Sequence, residues 1–176
     1  NRYARTLLAG SPAVGAGSLL YGLELFHNDG PWQEPEDYRK VNGVLRYSQG
    51  SRNNGISLTG MAYRGRWNST DQIAQRAIDT GAVDRFGTLD STTGGKTYRY
   101  SLAGEWAKRG AASQSNATIW WLKSGLDLWS NFQYCLNDFA ASGTCATGDQ
   151  FKQAETRQAG GFGASHTLFD RWGDYE

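Results

Sequence analysis

Few residues of this chain are suited to chemistry, because it contains only two histidines and two cysteines. His27 and His166 lie far apart in sequence, and no cluster of cysteines or carboxylates accompanies them at the spacing of a metal site. A serine, a histidine and an aspartate could combine into a triad, but the Gly-x-Ser-x-Gly elbow of many hydrolases is missing. The sequence therefore predicts no catalytic residue, no metal site and no bound cofactor.

The composition is that of a glycine-rich and aromatic-rich β protein. Its 176 residues include 23 glycines, nine tyrosines, seven tryptophans and three prolines, which fits a sheet with tight turns better than a helical bundle. A formal net charge of +1 lacks the excess of positive charge that is typical of nucleic-acid-binding proteins. The mean hydropathy of −0.61 does not exclude a membrane barrel, in which polar lumen residues alternate with apolar lipid-facing ones.

No segment predicts a transmembrane helix. The longest uncharged stretch, Thr6–Leu23, is rich in glycine, whereas a spanning helix needs about 20 predominantly apolar residues. Arg2 and Arg5 before Leu7 imitate a signal peptide, but the apolar part that follows is too weak. Because the chain starts at Asn1 without methionine, we expect an internal fragment or a trimmed mature chain.

The dominant pattern is the alternation of apolar and polar residues with a period of two, which predicts half-buried strands. It is clearest from Tyr98 to Trp106, where aromatic and apolar residues occupy one face and polar or small residues the other. Strands are predicted at Arg2–Leu8, Leu19–Phe26, Val41–Ser48, Ile56–Trp67, Tyr98–Trp106, Ser115–Ser130 and Phe151–His166, with another beginning near Thr167.

The connections between these strands alternate between short and long. The short ones are Gln49–Gly55 and Lys108–Gln114, and the long ones are Asn28–Asp37, Asn68–Lys96 and Phe132–Gln150. Asn54-Gly55 predicts a type I′ hairpin turn. Within Thr70–Ala82, Asp71 as N-cap and Gly81 as stop predict a short helix. Short periplasmic turns and longer extracellular loops are typical of outer-membrane barrels.

Aromatic residues lie near both ends of the predicted strands, as they do at the two membrane–water interfaces of a barrel. The candidates for these aromatic belts are Tyr21, Trp32, Tyr47, Trp67, Tyr98, Trp106 and Trp129. Most of the strands reach the roughly 9–11 residues that a tilted spanning strand needs. The alternation and the belts favour an all-β, antiparallel, up-and-down transmembrane β-barrel wall. The alternative is a soluble β-sandwich, with its rings at mid-strand.

Four stretches carry a family resemblance: LYGLELFHNDGPW at 20–32, YRKVNGVLRY at 38–47, YRGRWNSTDQI at 63–73 and GDQF at 148–151. They resemble strands and loops in the barrel of TonB-dependent receptors of the bacterial outer membrane. The likeness extends from about Leu7 to Trp172. It is a likeness of strand sequence and includes no catalytic signature.

This resemblance implies a barrel of about 22 strands with a plugged lumen. Residues 1–176 would be a partial barrel domain embedded in outer-membrane lipid, an incomplete arc of about seven to eight long strands with long extracellular loops. The plug domain, the remaining strands and the region that engages TonB would lie outside this chain. The implied function is ligand-gated active uptake of a metal chelate, such as a siderophore complex, or a similar scarce small molecule, without enzymatic activity.

In such a barrel, charged residues opposite the lipid-facing side chains would line the lumen. The lumen-lining candidates are Glu24, Arg46, Arg64, Arg66, Arg99, Glu105, Lys123 and Asp127. They would pair across strands or contact ligand or plug. The residues at the connection tips that could touch ligand are Trp32, Trp67, Asp71, Gln72 and Tyr134.

Cys135 and Cys145 lie in one connection that would face an oxidising exterior, so a disulfide is predicted. Two unpaired cysteines are the alternative. Two other functions stay open at this point. One is a soluble β-sandwich that binds carbohydrate through tryptophan and tyrosine, and the other is a small outer-membrane barrel hydrolase.

Overall fold

The structure is a computed structural model that describes residues 2–131, 135, 137, 140, 141, 143 and 148–169. Most of the segments in which apolar and polar residues alternate form strands, as predicted. The strands are β1 (Tyr3–Gly10), β2 (Ala13–Val14), β3 (Gly17–Asn28), β4 (Tyr38–Gly50), β5 (Gly55–Asn68), β6 (Gly94–Arg109), β7 (Ser113–Asn131) and β8 (Gln150–Leu168). A short helix, α1, spans Gln75–Asp79 between β5 and β6.

The strands form one antiparallel up-and-down sheet with the order β1-β3-β4-β5-β6-β7-β8, and β2 pairs only with the start of β3. Each ladder keeps one register along its whole length, for example from Gly94↔Trp129 to Arg109↔Gln114 between β6 and β7. The outer strands β1 and β8 each pair with a single neighbour among the described residues. The predicted antiparallel up-and-down sheet is therefore confirmed, and the described strands leave it open.

No second layer covers this sheet within the described ranges. No hydrophobic residue there is buried, and Tyr100 and Leu102 keep 39% and 55% of their surface exposed. A β-sandwich would bury one face of each sheet in a core about 10 Å thick. The described residues therefore do not form the sandwich that was the alternative expectation. Nor does any helix among them have the length and apolar character needed to cross a membrane.

One turn and one strand boundary differ from the sequence-based expectation. Gly50 pairs with Gly55, so the β4–β5 turn is the four-residue segment 51–54, closed by the Ser51 amide on the Asn54 carbonyl oxygen at 2.8 Å. The predicted type I′ turn at Asn54-Gly55 is wrong, because neither residue has the positive φ that this turn needs. The strand expected to begin near Thr167 is also wrong, because Thr167 continues β8.

The short helix lies where Thr70–Ala82 was expected to form one, but it begins differently. Its N-cap is Ala74, which makes no side-chain capping bond. Asp71 accepts instead a 2.6 Å hydrogen bond from the Asn131 amide, at the end of β7. The predicted stop is confirmed: Gly81 has φ +72° and its amide donates to the Ile78 carbonyl oxygen at 3.0 Å, a left-handed position that glycine adopts without cost.

Candidate functional site

The cross-strand register determines which side chains share a face, because directly paired residues of antiparallel strands point to the same side. The face that contains Leu102 is rich in large apolar residues, and we call it the apolar face. Its exposed apolar members are Leu8, Val14, Leu23, Leu25, Val41, Leu45, Ile56, Leu58, Tyr100, Leu102, Trp106, Ile119, Phe162 and Leu168. A continuous apolar surface of this extent is uncommon on a soluble monomer.

The opposite face, which we call the polar face, carries most of the hydrogen-bonding side chains in the middle of the strands. Leu20, Met61 and Trp120 also lie there, so this face is mixed rather than purely polar. Its polar members include Arg5, Glu24, Lys40, Asn42, Arg46, Ser57, Arg99, Glu105, Asn116, Thr118, Ser124 and Arg157.

Two cross-strand ion-pair networks lie on the polar face. Glu24 accepts from Arg5 at 2.8 Å and from Lys40 at 2.9 Å, which links β1, β3 and β4. Glu105 accepts from Ser57 at 2.7 Å and lies 3.4 Å from Arg46, which links β4, β5 and β6. Glu24 is well shielded, with 13% of its side chain exposed, whereas Glu105 keeps 59%.

The eight charged residues expected to share the lumen-facing side do not share a face. Glu24, Arg46, Arg99 and Glu105 lie on the polar face, whereas Arg64, Arg66, Lys123 and Asp127 lie on the apolar face. Alternation within a strand separates its two faces, but only long-range pairing tells which face of one strand continues into the next. The assignment of all eight to one side is therefore corrected to four and four.

The aromatic candidates also divide. Five of the seven share the apolar face, namely Tyr21, Tyr47, Tyr98, Trp106 and Trp129. Trp67 lies on the polar face, where it packs over Gly95 and meets the Tyr38 ring at 6.4 Å. Trp32 lies outside the strands, donates to Glu36 at 2.7 Å and has the Phe86 ring 6.1 Å away. Trp32 thus joins the connection 29–37 to the connection 69–93.

A charged cluster surrounds the end of β3. His27 Nε2 lies 3.0 Å from Asp29 Oδ1, and His27 Nδ1 lies 3.7 Å from Asp37 Oδ1. The Arg2 guanidinium and amide both donate to Asp29 Oδ2 at 3.0 Å. These hydrogen bonds hold the pKa of Asp29 below its ordinary value, although burial opposes them.

The spacing of His27, Asp29 and Asp37 would suit a metal ion, since their ligand atoms lie within 4.8 Å of one another. However, Asp37 already pairs with Arg39 at 2.9 Å and Arg66 at 3.3 Å. With Arg2 on Asp29, three arginines face two carboxylates, which disfavours a further cation. We interpret the cluster as an ion-pair network that anchors both ends of the connection 29–37.

A second cluster, the hydrogen bonds around Asp90 that we call the Asp90 hub, fixes the connection 69–93 to the sheet. Asp90 accepts from Thr92 through Oδ1 and from Asn131 at 2.8 Å and Gln150 at 3.0 Å through Oδ2. Burial raises the pKa of Asp90, but these hydrogen bonds outweigh it and the net pKa is lowered. Among the proposed ligand-contacting residues, Asp71 is used structurally, Gln72 is exposed, and Tyr134 lies outside the described residues.

One nucleophile–base pair is present at the opposite end of the sheet. Ser115 Oγ lies 2.8 Å from His166 Nδ1, across β7 and β8. Within the described part of the chain no carboxylate contacts His166, and an orienting third group is what completes a triad. Cys135 is disulfide-bonded, while its predicted partner Cys145 lies outside the described residues.

Comparison with known proteins finds no matching family model, no similar characterised protein and no similar solved structure. The two faces of the sheet and the clusters at its ends are therefore the basis for a functional proposal.

Proposed function

We propose that this chain forms part of the wall of an outer-membrane β-barrel receptor of the TonB-dependent class, which takes up a scarce small molecule such as a metal chelate. The observation that carries the proposal is the separation of the two faces. One uncovered sheet places Leu45, Leu58, Leu102 and Ile119 on one side, and the networks of Glu24 and Glu105 on the other.

A barrel wall between lipid on one side and a lumen on the other satisfies both faces at once. Exposed leucine and isoleucine side chains gain roughly 1.5–3 kcal/mol each when they leave water, and hydrocarbon supplies that gain without a second protein layer. The polar face would be costly in hydrocarbon but suits a water-filled or plug-filled lumen. Outer-membrane barrels combine these two surfaces by the same alternation.

The border of the apolar face supports the tilt that barrel strands require. Leu23 in β3 is linked along one row of paired residues, through Gly43, Ala62 and Tyr100, to Lys123 in β7. The same row is therefore apolar at β3 and charged at β7, so the border crosses the strands obliquely. A closed barrel needs such an offset, because its strands are tilted by about 35–45° and staggered.

The two ends of the sheet also fit this proposal. Segments 51–54 and 110–112 join strands at one end, whereas 29–37, 69–93 and 132–149 join them at the other, in keeping with short periplasmic turns and longer external loops. The unpaired edges of β1 and β8 would be covered by further barrel strands, since open edges are not tolerated in hydrocarbon. The receptor class itself is supported by the likeness of residues 20–32, 38–47 and 63–73.

Trp120 and Trp121 provide a direct test, because they are neighbours in the chain and lie on opposite faces. Two variants, each with Phe at all other tryptophan positions, would keep only Trp121 or only Trp120. Reconstituted into vesicles of brominated phosphatidylcholine, the Trp121 variant should lose most of its fluorescence and the Trp120 variant much less. Equal quenching, or none in either variant, would contradict a lipid-facing apolar face.

Uptake is tested in the cell of origin. Replacing residues 70–92 by a short Gly-Ser linker should abolish uptake of a labelled ferric chelate while the protein still reaches the outer-membrane fraction. Uncoupling the proton gradient should abolish uptake by the unaltered protein. If the linker variant takes up the chelate normally, the receptor assignment fails even if membrane insertion is correct.

A further inference from the structure

Basic side chains lie on the apolar face, which is the unexpected result of the register. Arg64, Lys96 and Lys123 belong to neighbouring strands β5, β6 and β7. They lie near the end of the sheet that carries the connections 69–93 and 132–149, next to apolar residues such as Leu102. Cations bordering an apolar band match the chemistry of a lipid, whose charged headgroup adjoins its acyl chains.

These three side chains line one groove of about 640 Å³, together with Tyr98 and Tyr100. We call it the basic groove. Tyr98 and Tyr100 form its floor, where their rings stack with centroids 5.5 Å apart and the Tyr98 ring lies over Gly125. In the part of the chain that the structure describes, Arg64 and Lys123 make no ion pair, so their charges are available to a ligand.

The upper edge of the basic groove adds further positive charge. Asp127 lies between Lys96 at 3.3 Å and Lys152 at 3.1 Å. Both ammonium groups also lie over the Trp129 ring, at 5.8 Å and 4.9 Å from its centroid. One carboxylate thus meets two lysines. Glu155, which also lines the groove, is paired with Arg157 at 2.9 Å, so a net positive charge remains. Tryptophan is a residue favoured at membrane interfaces.

We propose that the basic groove binds the phosphate of an anionic membrane lipid, with its acyl chains lying over the apolar face beside Leu102. This inference rests on the proposed function, because it requires the apolar face to lie in a membrane. Arg64 and Lys123 are the principal phosphate ligands, and Lys96 with Lys152 holds the groove positive. The tyrosine floor supports the glycerol region between headgroup and acyl chains.

The test is flotation of the full chain with two kinds of vesicle, one of phosphatidylcholine alone and one with an equal share of phosphatidylglycerol. The chain should prefer the anionic vesicles. Arg64→Gln and Lys123→Gln should each reduce that preference about fivefold, and together about 25-fold, the effect expected for basic residues near an anionic surface. Lys123→Arg should preserve the preference.

Arg99→Gln is the matched control, because it removes one positive charge from β6 on the polar face, next to Tyr98 in the chain. It should leave the vesicle preference unchanged. An equal loss in Arg99→Gln would overturn the inference and indicate a general charge effect. Competition by inorganic phosphate at constant ionic strength would also overturn it, because the groove would then be a site for free phosphate.

The two proposals fail in different ways. If the chain inserts equally well into both vesicles and the variants change nothing, the headgroup site is wrong but the membrane proposal stands. If the chain floats with neither kind of vesicle, the membrane proposal fails and the headgroup site with it.

Discussion

The Tyr98 ring lies directly over Gly125 of the neighbouring strand, so that a Cβ at Gly125 would come within 2.5 Å of Tyr98 Cε1. Gly125→Ala should therefore displace the ring and lower the free energy of unfolding by about 1–3 kcal/mol. Gly43→Ala is the control, because its nearest atom is a backbone oxygen 3.7 Å away. Denaturant unfolding in detergent, followed by circular dichroism, should separate the two, and equal stabilities would contradict the packing.

The network around Glu24 should contribute more to the thermal stability of the chain than the network around Glu105. Glu24→Gln would leave Arg5 and Lys40 without their shared partner on a shielded surface. Glu105→Gln affects an exposed pair, and such pairs contribute about 0.2–1 kcal/mol. The thermal midpoint should fall further for Glu24→Gln, and an equal or smaller fall would show that shielding does not strengthen the pair.

Protonation of Asp29 at acidic pH should weaken the interactions that hold the connection 29–37 to the sheet. The pKa of Asp29 is lowered from its ordinary 3.8, above all by the hydrogen bond from Arg2. A group with a depressed pKa in the folded state stabilises above its unfolded pKa, and this contribution is lost as the pH falls through the folded value. The thermal midpoint of the unaltered chain should therefore fall below about pH 4.

Asp29→Asn removes this titration, so the midpoint advantage of the unaltered chain over Asp29→Asn should shrink as the pH falls. Asp79→Asn, a change on the exposed helix α1, provides the control curve. A constant difference between the Asp29→Asn and unaltered curves would show that the Arg2–Asp29 pair contributes nothing to stability.

The hydrogen bonds to Asp90 should protect the connection 69–93 from proteolysis. Asp90→Ala removes the acceptor of hydrogen bonds from Thr92, Asn131 and Gln150, each worth about 0.5–1.5 kcal/mol. Trypsin should then cut after Arg76 and Arg85 on the order of ten times faster. Glu34→Ala, in the neighbouring connection, should not change the cleavage rate, and a rate unchanged by Asp90→Ala would contradict the role of the hub.

The disulfide prediction can be checked by mass spectrometry. Without reductant, neither Cys135 nor Cys145 should react with iodoacetamide under denaturing conditions, and a peptide joining the two should be found after digestion. After reduction both should be alkylated. Alkylation of unreduced Cys145 would show that Cys135 has another partner.

The sequence predicted the strands well and their mutual orientation poorly. Alternation is local, so β3 and β6 were found from their own residues to within a few positions. The face shared by Glu24 and Arg99, but not by Lys123, depends on register across four ladders, and short-range patterns do not contain it. The same limit explains why all eight charges were assigned to one side.

Sequence patterns did not predict the charged cluster around Asp29 or the Asp90 hub, for a related reason. Arg2 and Asp29 are 27 positions apart, and Asp90 and Gln150 are 60 apart, so no motif unites them. The only signal was indirect: Asp29 and Gln150 stand at strand ends, where polar residues often fix the adjoining connection. Asp71 was misassigned because a helix cap and a long-range acceptor require the same residue type.

The unbroken register has a consequence for how this gene can change. Loss or gain of one codon within a strand would exchange the side chains of the polar and apolar faces over the rest of that strand, placing charges such as Arg99 where leucines now stand. Tight turns such as 51–54 transmit such an error to the neighbouring strand, whereas the connection 69–93 can absorb it. Length variation among natural homologues should therefore be concentrated in 29–37 and 69–93, and changes within strands should occur in pairs of residues.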